Sequence, residues 1–370
     1  MTEKRLPQGR LTSLDAFRGL TIAGMILVNN PGSWSHIYGP LRHAEWHGWT
    51  PTDLIFPFFL LIVGVSIPFS FGRRLEAGDS KIALFRHILR RSVILFALGL
   101  FMAAYPRFDL ENLRIMGVLQ RIGLVYLVAA TSFLVFGRKA RGWLVAGLLF
   151  GYWALLTFVP VPGFGPGNLT PDGNLGAYLD RIVFGHRLWQ GTWDPEGLLS
   201  TLPAVGTTVL GIFTGEWLRS GRSSETKAQG VILGGVVGIL LGLLWNFGFP
   251  INKALWTSSY VLFTAGAGLL LLGLFFWIME VRGWKGWAKP FVIYGMNAIA
   301  VFVASGLLAK QMGLIRVGVE DAPLKTWIYE NLFASWAGPL NGSLFFALSY
   351  VLVWLTIMWI LFERRIFIKI

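Results

Sequence analysis

The sequence predicts an all-α protein, a polytopic transmembrane helical bundle of about ten transmembrane helices with both termini in the cytoplasm. Hydrophobic residues make up 54% of its 370 residues and charged residues only 14%, which is more apolar surface than a soluble domain could bury. The apolar residues fall into windows of about 17 to 24, the length that crosses a hydrocarbon core. Lys and Arg gather in alternate connections between these windows, which sets the orientation by the positive-inside rule.

The first apolar window follows a polar, basic start and is predicted to be retained. It contains Asp15 and Arg18 and has no small-residue cleavage site, so it does not resemble a cleaved signal. These two side chains are three residues apart and can pair on one helix face. In chain order the predicted helices are 14–30, 54–71, 88–104, 115–136, 143–160, 200–218, 229–249, 255–277, 288–309 and 343–362.

The net charge of +13 is explained by membrane topology and does not predict nucleic-acid binding, because the cations are spread over connections. One domain is expected over residues 1–370, with cytoplasmic tails at 1–12 and 363–370. Because both termini are placed on the same side of the membrane, the number of transmembrane helices must be even. The basic inner segments contain Lys4, Arg5, Arg10, Arg73, Arg74, Lys81, Arg86, Arg138, Lys139, Arg141, Arg219, Arg222, Lys227, Arg282, Lys285, Lys289, Arg364, Arg365 and Lys369, and the outer ones contain acids such as Asp109, Glu111, Asp172, Asp180, Glu320, Asp321 and Glu330.

Long polar segments occur on the predicted outer side, at 31–53, 161–199 and 310–342, which suggests that the functional site faces outward. The first of them contains three of the five histidines, His36, His43 and His47. A neutral imidazole can take a proton from an attacking amine or hydroxyl and return it to a leaving group, although each histidine could equally be a hydrated loop residue. His43 and His47 would share a helix face, but nearby turn residues disfavour that geometry, so no metal site is predicted. With no cysteine, a thiol nucleophile is excluded.

Five polar residues lie at or inside the predicted spans. Asp53 begins the second helix, where a carboxylate either caps the first turn or orients a histidine. Asn29 and Asn30 end the first helix, where an amide caps backbone groups or binds a substrate carbonyl. Arg121 and Asn297 lie within apolar windows and are expected to face a cavity or a partner, because a polar group in lipid is costly.

Two further outer stretches add candidates on the same side as His43. WDPEG contributes Asp194 and Glu196, and PINKALWTSSYV contributes Lys253, Ser258 and Ser259. Their predicted location on the outer side of the membrane is the only reason to consider them candidates for binding a substrate.

Six stretches together resemble the heparan-α-glucosaminide N-acetyltransferase family of transmembrane acyltransferases and its bacterial relatives, and the similarity runs from about residue 11 to the C-terminus. They are SLDAFRGLTIAGMILVNN, LRHAEWHGWTPTDLIFPFFLLIVG, RIMGVLQRIGLVY, WDPEGLLSTLPAVGTTVLG, FPINKALWTSSYVL and YGMNAIAVFV. The family's active-site histidine lies in a KHASWNGLT-like stretch, so the resemblance implies His43. A family asparagine matches Asn29, although its spacing to the histidine is longer here, and His47 stands where the lysosomal enzyme has Asn.

The resemblance implies an acetyl-CoA-dependent N-acetyltransferase in the bacterial inner membrane. Acetyl-CoA would enter from the cytoplasm, and the acetyl group would pass to a glucosamine-type amine on the periplasmic side. His43 would act as general base or transient acyl carrier and Asp53 would orient it. Asn29 or Asn30 would position the thioester carbonyl or the acceptor, and Arg121 would direct positive charge toward a CoA phosphate or an active-site acid.

Two other functions fit the same residues. In an amino-sugar transporter, the polar residues would line a path. In an O-acyltransferase of a cell-envelope glycan, the same histidine would activate a hydroxyl. The expected partners are an acyl donor, a sugar acceptor and the lipid bilayer, and formation of a homodimer is left open.

Overall fold

The computed structural model describes residues 11–319 and 321–368, and these residues form a bundle of α-helices with one short hairpin. Lys4, Arg5, Arg10, Glu320 and Lys369, which contribute to the charge argument, lie outside the described residues. The helices are α1 (Thr12–Asn29), α2 (Ile55–Glu76), α3 (Lys81–Ala104), α4 (Val118–Val135), α5 (Arg138–Phe158), α6 (Leu175–Phe184), α7 (Thr201–Arg219), α8 (Ser224–Asn246), α9 (Ser258–Phe276), α10 (Lys289–Met296), α11 (Ala298–Leu314), α12 (Leu324–Ile328) and α13 (Ser335–Glu363). The hairpin pairs β1 (Arg316–Val317) antiparallel to β2 (Ala322–Pro323).

Each predicted window overlaps a helix, but fewer than ten helices in the described part of the chain are apolar enough to count as spans. Seven helices are long and hydrophobic enough to cross a membrane, and the bent pair α10 and α11, which meet at 71°, brings the number to eight. The windows 14–30 and 200–218 form α1 and α7, which are less apolar. Their polar side chains, such as Thr21 and Thr208, are buried against other helices, where hydropathy is a poor measure.

The helices α3 and α8 are among those that begin well before the predicted residue, because their first turns are polar. α3 begins at Lys81 after Ser80, whose hydroxyl accepts a hydrogen bond from the Ala83 amide. α8 begins at Ser224, and the hydroxyl of Ser223 accepts from the Thr226 amide in the same way. Serine at this position satisfies a free amide of the first turn and so sets where the helix begins.

The long outer segments, in which no helix was predicted, contain short elements. α6 lies in the α5–α7 connection, and α12 follows the hairpin between α11 and α13. α6 begins after Asn174, whose side chain accepts from the Ala177 amide. Ten residues are too few to cross a bilayer, so no long apolar window marks this helix in the sequence.

Helices α2 and α7 pack with their backbones in contact. A Cβ atom at Gly64 of α2 would lie 2.0 Å from the carbonyl oxygen of Thr208 in α7. A Cβ atom at Gly211 would lie 2.2 Å from the Leu61 carbonyl oxygen in the same seam. Small residues therefore allow the close approach that helices use in membranes.

Three connections meet at one end of the bundle, which we call the histidine end. They are the α1–α2 connection (30–54), the α5–α7 connection (159–200) and the α8–α9 connection (247–257). The Gly48 amide donates to the Ile251 carbonyl at 2.8 Å, and the Trp46 indole donates to the Leu169 carbonyl at 2.8 Å. The α1–α2 connection is thus fixed by both of the others.

Candidate active site

Asp53 and His43 form a hydrogen-bonded pair at the start of α2. Pro51–Leu54 is a 3-10 helix that leads into α2, and it places the carboxylate of Asp53 under the α1–α2 connection with 1% exposure. Asp53 Oδ1 lies 2.6 Å from His43 Nδ1. Asp53 Oδ2 accepts from the Ala44 amide at 3.0 Å and from the Thr50 amide and hydroxyl at 3.0 and 3.1 Å. The carboxylate is fully used inside the protein, so its effect is to fix the ring of His43.

The imidazole of His43 is half exposed, and its two nitrogens have different roles. Because Asp53 accepts a hydrogen bond, Nδ1 carries the proton and donates it, and Nε2 keeps its lone pair. The side chain is 52% exposed, so a molecule arriving at the histidine end can reach it. This is the arrangement that a general base requires.

Lys253 extends from the α8–α9 connection to the same two side chains. Its Nζ atom lies 2.9 Å from Nδ1 and 3.2 Å from Nε2 of His43, and 3.4 Å from Oδ1 of Asp53. Similar distances to both ring nitrogens place the amine over the face of the imidazole. Burial lowers the pKa of Lys253, while the negative charges of Asp53 and Glu196 act in the opposite direction.

The α8–α9 connection holds Lys253 in place through a closed set of hydrogen bonds around Asn252. The Asn252 side chain accepts from the Leu255 amide at 2.9 Å, and its own amide donates to the Thr257 hydroxyl at 3.0 Å. The Thr257 amide donates back to the Asn252 carbonyl at 3.2 Å. Trp256 adopts a left-handed φ of 52°, a strained conformation that such a network can hold.

Ser258 and Ser259 begin α9 and direct their hydroxyls into the protein. Ser258 donates to the Leu149 carbonyl at 2.7 Å, and Ser259 lies 3.1 Å from the Thr257 hydroxyl. Both serines are fully buried. Their contacts hold α9 and the Asn252 network rather than the space beside His43.

Arg121 is fully buried beneath the α8–α9 connection. Its guanidinium carbon lies 5.1 Å from the centre of the Trp256 ring. Nη2 donates to the Gly197 carbonyl at 3.1 Å and to the Ser200 hydroxyl. Among the described residues no partner contacts Nε or Nη1, so the side chain keeps unused donors in a buried position.

Three predicted asparagines have no described contact with His43. Asn29 is exposed at the end of α1, and Asn30 is buried and donates to the Ile26 carbonyl at 2.8 Å. Asn297 lies at the break between α10 and α11. Its amide donates to the Ile366 carbonyl at 3.1 Å and its oxygen accepts from the Ile368 amide at 2.8 Å. Asn297 therefore fastens the C-terminal segment instead of joining the histidine site.

Comparisons with known proteins identify the family of this chain. The model of the family described as heparan-alpha-glucosaminide N-acetyltransferase, catalytic, matches residues 10–242. The chain belongs to this family. Two proteins named heparan-alpha-glucosaminide N-acetyltransferase, from Mus musculus and Homo sapiens, are each 30% identical to it, over 426 and 420 residues. The alignments cover 99% and 98% of this chain but 61% and 60% of those relatives, so the chain spans about three fifths of their length.

The match to the heparan-alpha-glucosaminide N-acetyltransferase family includes His43, Asp53 and Arg121 and ends before Lys253. The alignment with the mouse protein extends over nearly the whole chain. Lys253 lies beyond the residues that the family model matches, so its contacts with His43 are known from the structure alone.

Two contributors to the site were not predicted from the sequence. The Tyr260 hydroxyl donates to the Asp53 carbonyl at 2.5 Å, and Arg114 pairs with Asp194 and Glu196. No local sequence pattern predicts either contact, because each one joins residues about 80 to 200 positions apart. The Thr50-to-Asp53 spacing does carry a signal, since it is the pattern of a helix cap.

Among the described residues, no group of three or more His, Asp or Glu side chains is arranged to hold a metal ion. His47 lies 3.4 Å from the Asn252 amide nitrogen through its own Nδ1. His36 lines a small, shallow surface pocket between α1 and α13. The three histidines of the α1–α2 connection are thus in three different surroundings.

Proposed function

We propose that the protein transfers an acetyl group from acetyl-CoA to the amine of a glucosamine-type sugar. The observation that carries this proposal is the His43–Asp53 pair with Lys253 over the imidazole, in a chain of the heparan-alpha-glucosaminide N-acetyltransferase family. The donor enters from the cytoplasmic side of a bacterial inner membrane, and the acceptor binds at the histidine end on the periplasmic side.

His43 acts as the base through Nε2. The neutral amine attacks the thioester carbonyl, a C–N bond forms, and the C–S bond of the tetrahedral intermediate breaks. His43 takes one proton from the amine nitrogen and delivers it to the thiolate sulfur, which leaves as CoA thiol. Asp53 stabilises the imidazolium that exists between the two proton transfers.

Positive charge near His43 stabilises the oxygen of the intermediate. Lys253 Nζ lies 3.2 Å from His43 Nε2, and the amine and the thioester must meet beside this nitrogen. A fixed cation where negative charge develops lowers the barrier more than it stabilises the ground state. Asn29, at the exposed end of α1, positions the acceptor, and the buried donors of Arg121 bind an oxygen of a substrate.

The orientation that the proposal requires is supported by charge. Basic side chains gather at the end of the bundle opposite His43, where Arg74 pairs with Asp79 and Lys285 pairs with Glu280. A single cysteine at Asn168, in the α5–α7 connection, tests it because the chain has no native cysteine. Labelling of intact cells by an impermeant maleimide is expected, and labelling only after inner-membrane disruption would reverse the orientation.

The proposal is tested with purified protein in proteoliposomes, radiolabelled acetyl-CoA and a panel of amino sugars and matched neutral sugars. Acetylated amino sugar is expected, and His43→Ala is expected to lower its rate by a factor on the order of 10² to 10⁴. His36→Ala, on the same connection, serves as the control and keeps the wild-type rate. Acetylation of hydroxyls alone, or sugar uptake without acetyl-CoA, would replace the proposal with an O-acyltransferase or a transporter.

A further inference from the structure

A seam runs between the α1–α2 connection, which carries His43, and the α5–α7 connection. The rings of Trp46 and Trp193 meet edge to face with centroids 4.9 Å apart. Trp46 lies three residues after His43, and Trp193 lies three residues before Glu196. The seam therefore joins the proposed base to a pair of acids in the other connection.

The two acids on the seam are used unequally. Asp194 accepts from Arg114 through both oxygens, and also from the Trp189 and Glu196 amides. Glu196 accepts from Arg114 through Oε2 at 2.5 Å. No donor among the described residues contacts its Oε1, although only 7% of the residue is exposed. This oxygen keeps contact with solvent, so a donor on a ligand can reach it.

Arg121, whose charge interacts with that of Glu196, has unused donors. Arg121 donates to the carbonyl of Gly197, the residue next to Glu196, and its Nε and Nη1 atoms lack partners among the described residues. Its exposed fraction is 0%. A ligand that satisfies both residues must carry a donor, preferably cationic, together with acceptor oxygens.

We propose that this seam is the acceptor subsite and that Glu196 binds the amine of the incoming sugar as an ammonium. Arg121 bonds to hydroxyl or ring oxygens of the same sugar, and Trp46 and Trp193 form the wall against which its cationic end packs. The inference rests on the proposed function and deepens it, because Glu196 makes the subsite select amines over hydroxyls.

The proton balance requires two separate steps. The sugar binds as R–NH₃⁺ and gives its first proton to His43, which releases it to the outer water through its exposed face. The neutral amine then attacks the thioester, and its second proton passes through His43 to the thiolate. The net products are the N-acetyl sugar, CoA thiol and one proton.

The test measures steady-state kinetics with methyl glucosaminide and inhibition by methyl glucoside, its neutral counterpart. Glu196→Gln is expected to raise the KM for the amine at least tenfold, with the KM for acetyl-CoA and the Ki of the neutral sugar unchanged. Glu111→Gln is the matched control, because Glu111 is exposed on the α3–α4 connection and its side chain has no described contact. Glu196→Asp keeps the charge and should restore part of the preference for the amine, which separates the role in binding from that in folding.

An equal rise in the KM for the amine and the Ki for the neutral sugar would overturn the inference, and so would no change in either. If Glu196→Gln does not fold, Glu196→Asp decides: the inference fails if that variant binds both sugars as the wild type does. Absence of any acetylated sugar with the wild-type protein would instead contradict the proposed function.

Discussion

The carboxylate of Asp53 contacts His43 Nδ1 at 2.6 Å and accepts three further hydrogen bonds from Ala44 and Thr50. A carboxylate with four donors has no oxygen left for a substrate. Its position relative to His43 is therefore set by the backbone of the α1–α2 connection. Disturbing this pair should affect catalysis more than binding.

We expect Asp53→Asn to lower kcat by a factor on the order of 10² or more, with little change in KM. The amide can present a donor to Nδ1, which would favour the opposite tautomer and remove the lone pair from Nε2. Asp79→Asn, at the opposite end of the bundle, is the control. A wild-type kcat in Asp53→Asn would show that the carboxylate only caps the helix.

Lys253→Met should change the pH dependence of kcat/KM on its alkaline side. Burial lowers the pKa of Lys253, so the wild type should lose activity on the alkaline side as this amine loses its proton. That alkaline limb should be absent from Lys253→Met. Lys253→Arg should keep its activity to higher pH, because a guanidinium stays charged. Lys139→Met, in the exposed first turn of α5, should behave as wild type. Identical profiles in all variants would exclude the electrostatic role.

Asp180 should make stability depend on pH. Burial, with a smaller effect from Asp194, raises its pKa from 3.8 to about 6. An acid whose pKa is raised by folding binds more protons when folded, so stability falls as the pH rises from about 4 to about 6.5. Asp180→Asn should be more stable than wild type at pH 7.5, by at most about 3 kcal/mol, and should show no such gain near pH 4. A constant difference in melting temperature across this range would contradict the prediction.

Gly64→Ala should destabilise the bundle strongly. The new methyl group would lie 2.0 Å from the Thr208 carbonyl oxygen, so α2 and α7 would have to separate at a cost of about 1 to 3 kcal/mol or more. Gly147→Ala, in α5, is the matched control because no atom of the described residues lies within 4 Å of a Cβ atom placed there. Equal melting temperatures for the two variants would show that the contact between α2 and α7 can relax freely.

Hydropathy predicted where helices lie because lipid exposure demands long apolar windows. It was less informative for α1 and α7, whose buried polar and small residues face protein. The beginnings of α3 and α8 depend on single capping serines outside the apolar windows, Ser80 and Ser223, so the predicted boundaries were late.

The sequence could identify His43 and Asp53 as a pair because they lie ten residues apart on one connection. It offered two roles for Asp53, a cap or an orienting group, and the structure shows the contacts of both. Lys253 lies 210 positions from His43, and sidedness was the only signal for their proximity. A polar residue inside an apolar window does not by itself mark a substrate site. Asn297 is such a residue, and its amide binds the C-terminal segment.

The closed hydrogen-bond network around Asn252 fixes the backbone that carries Lys253 through contacts within the protein. Binding of a substrate therefore need not supply the free energy to bring this amine over His43. A rigid inhibitor shaped to the space above the imidazole would keep most of its contact energy as affinity. Inserting one residue between Pro250 and Thr257 would instead return Lys253 to solvent, and it would do so without altering any group that takes part in the chemistry.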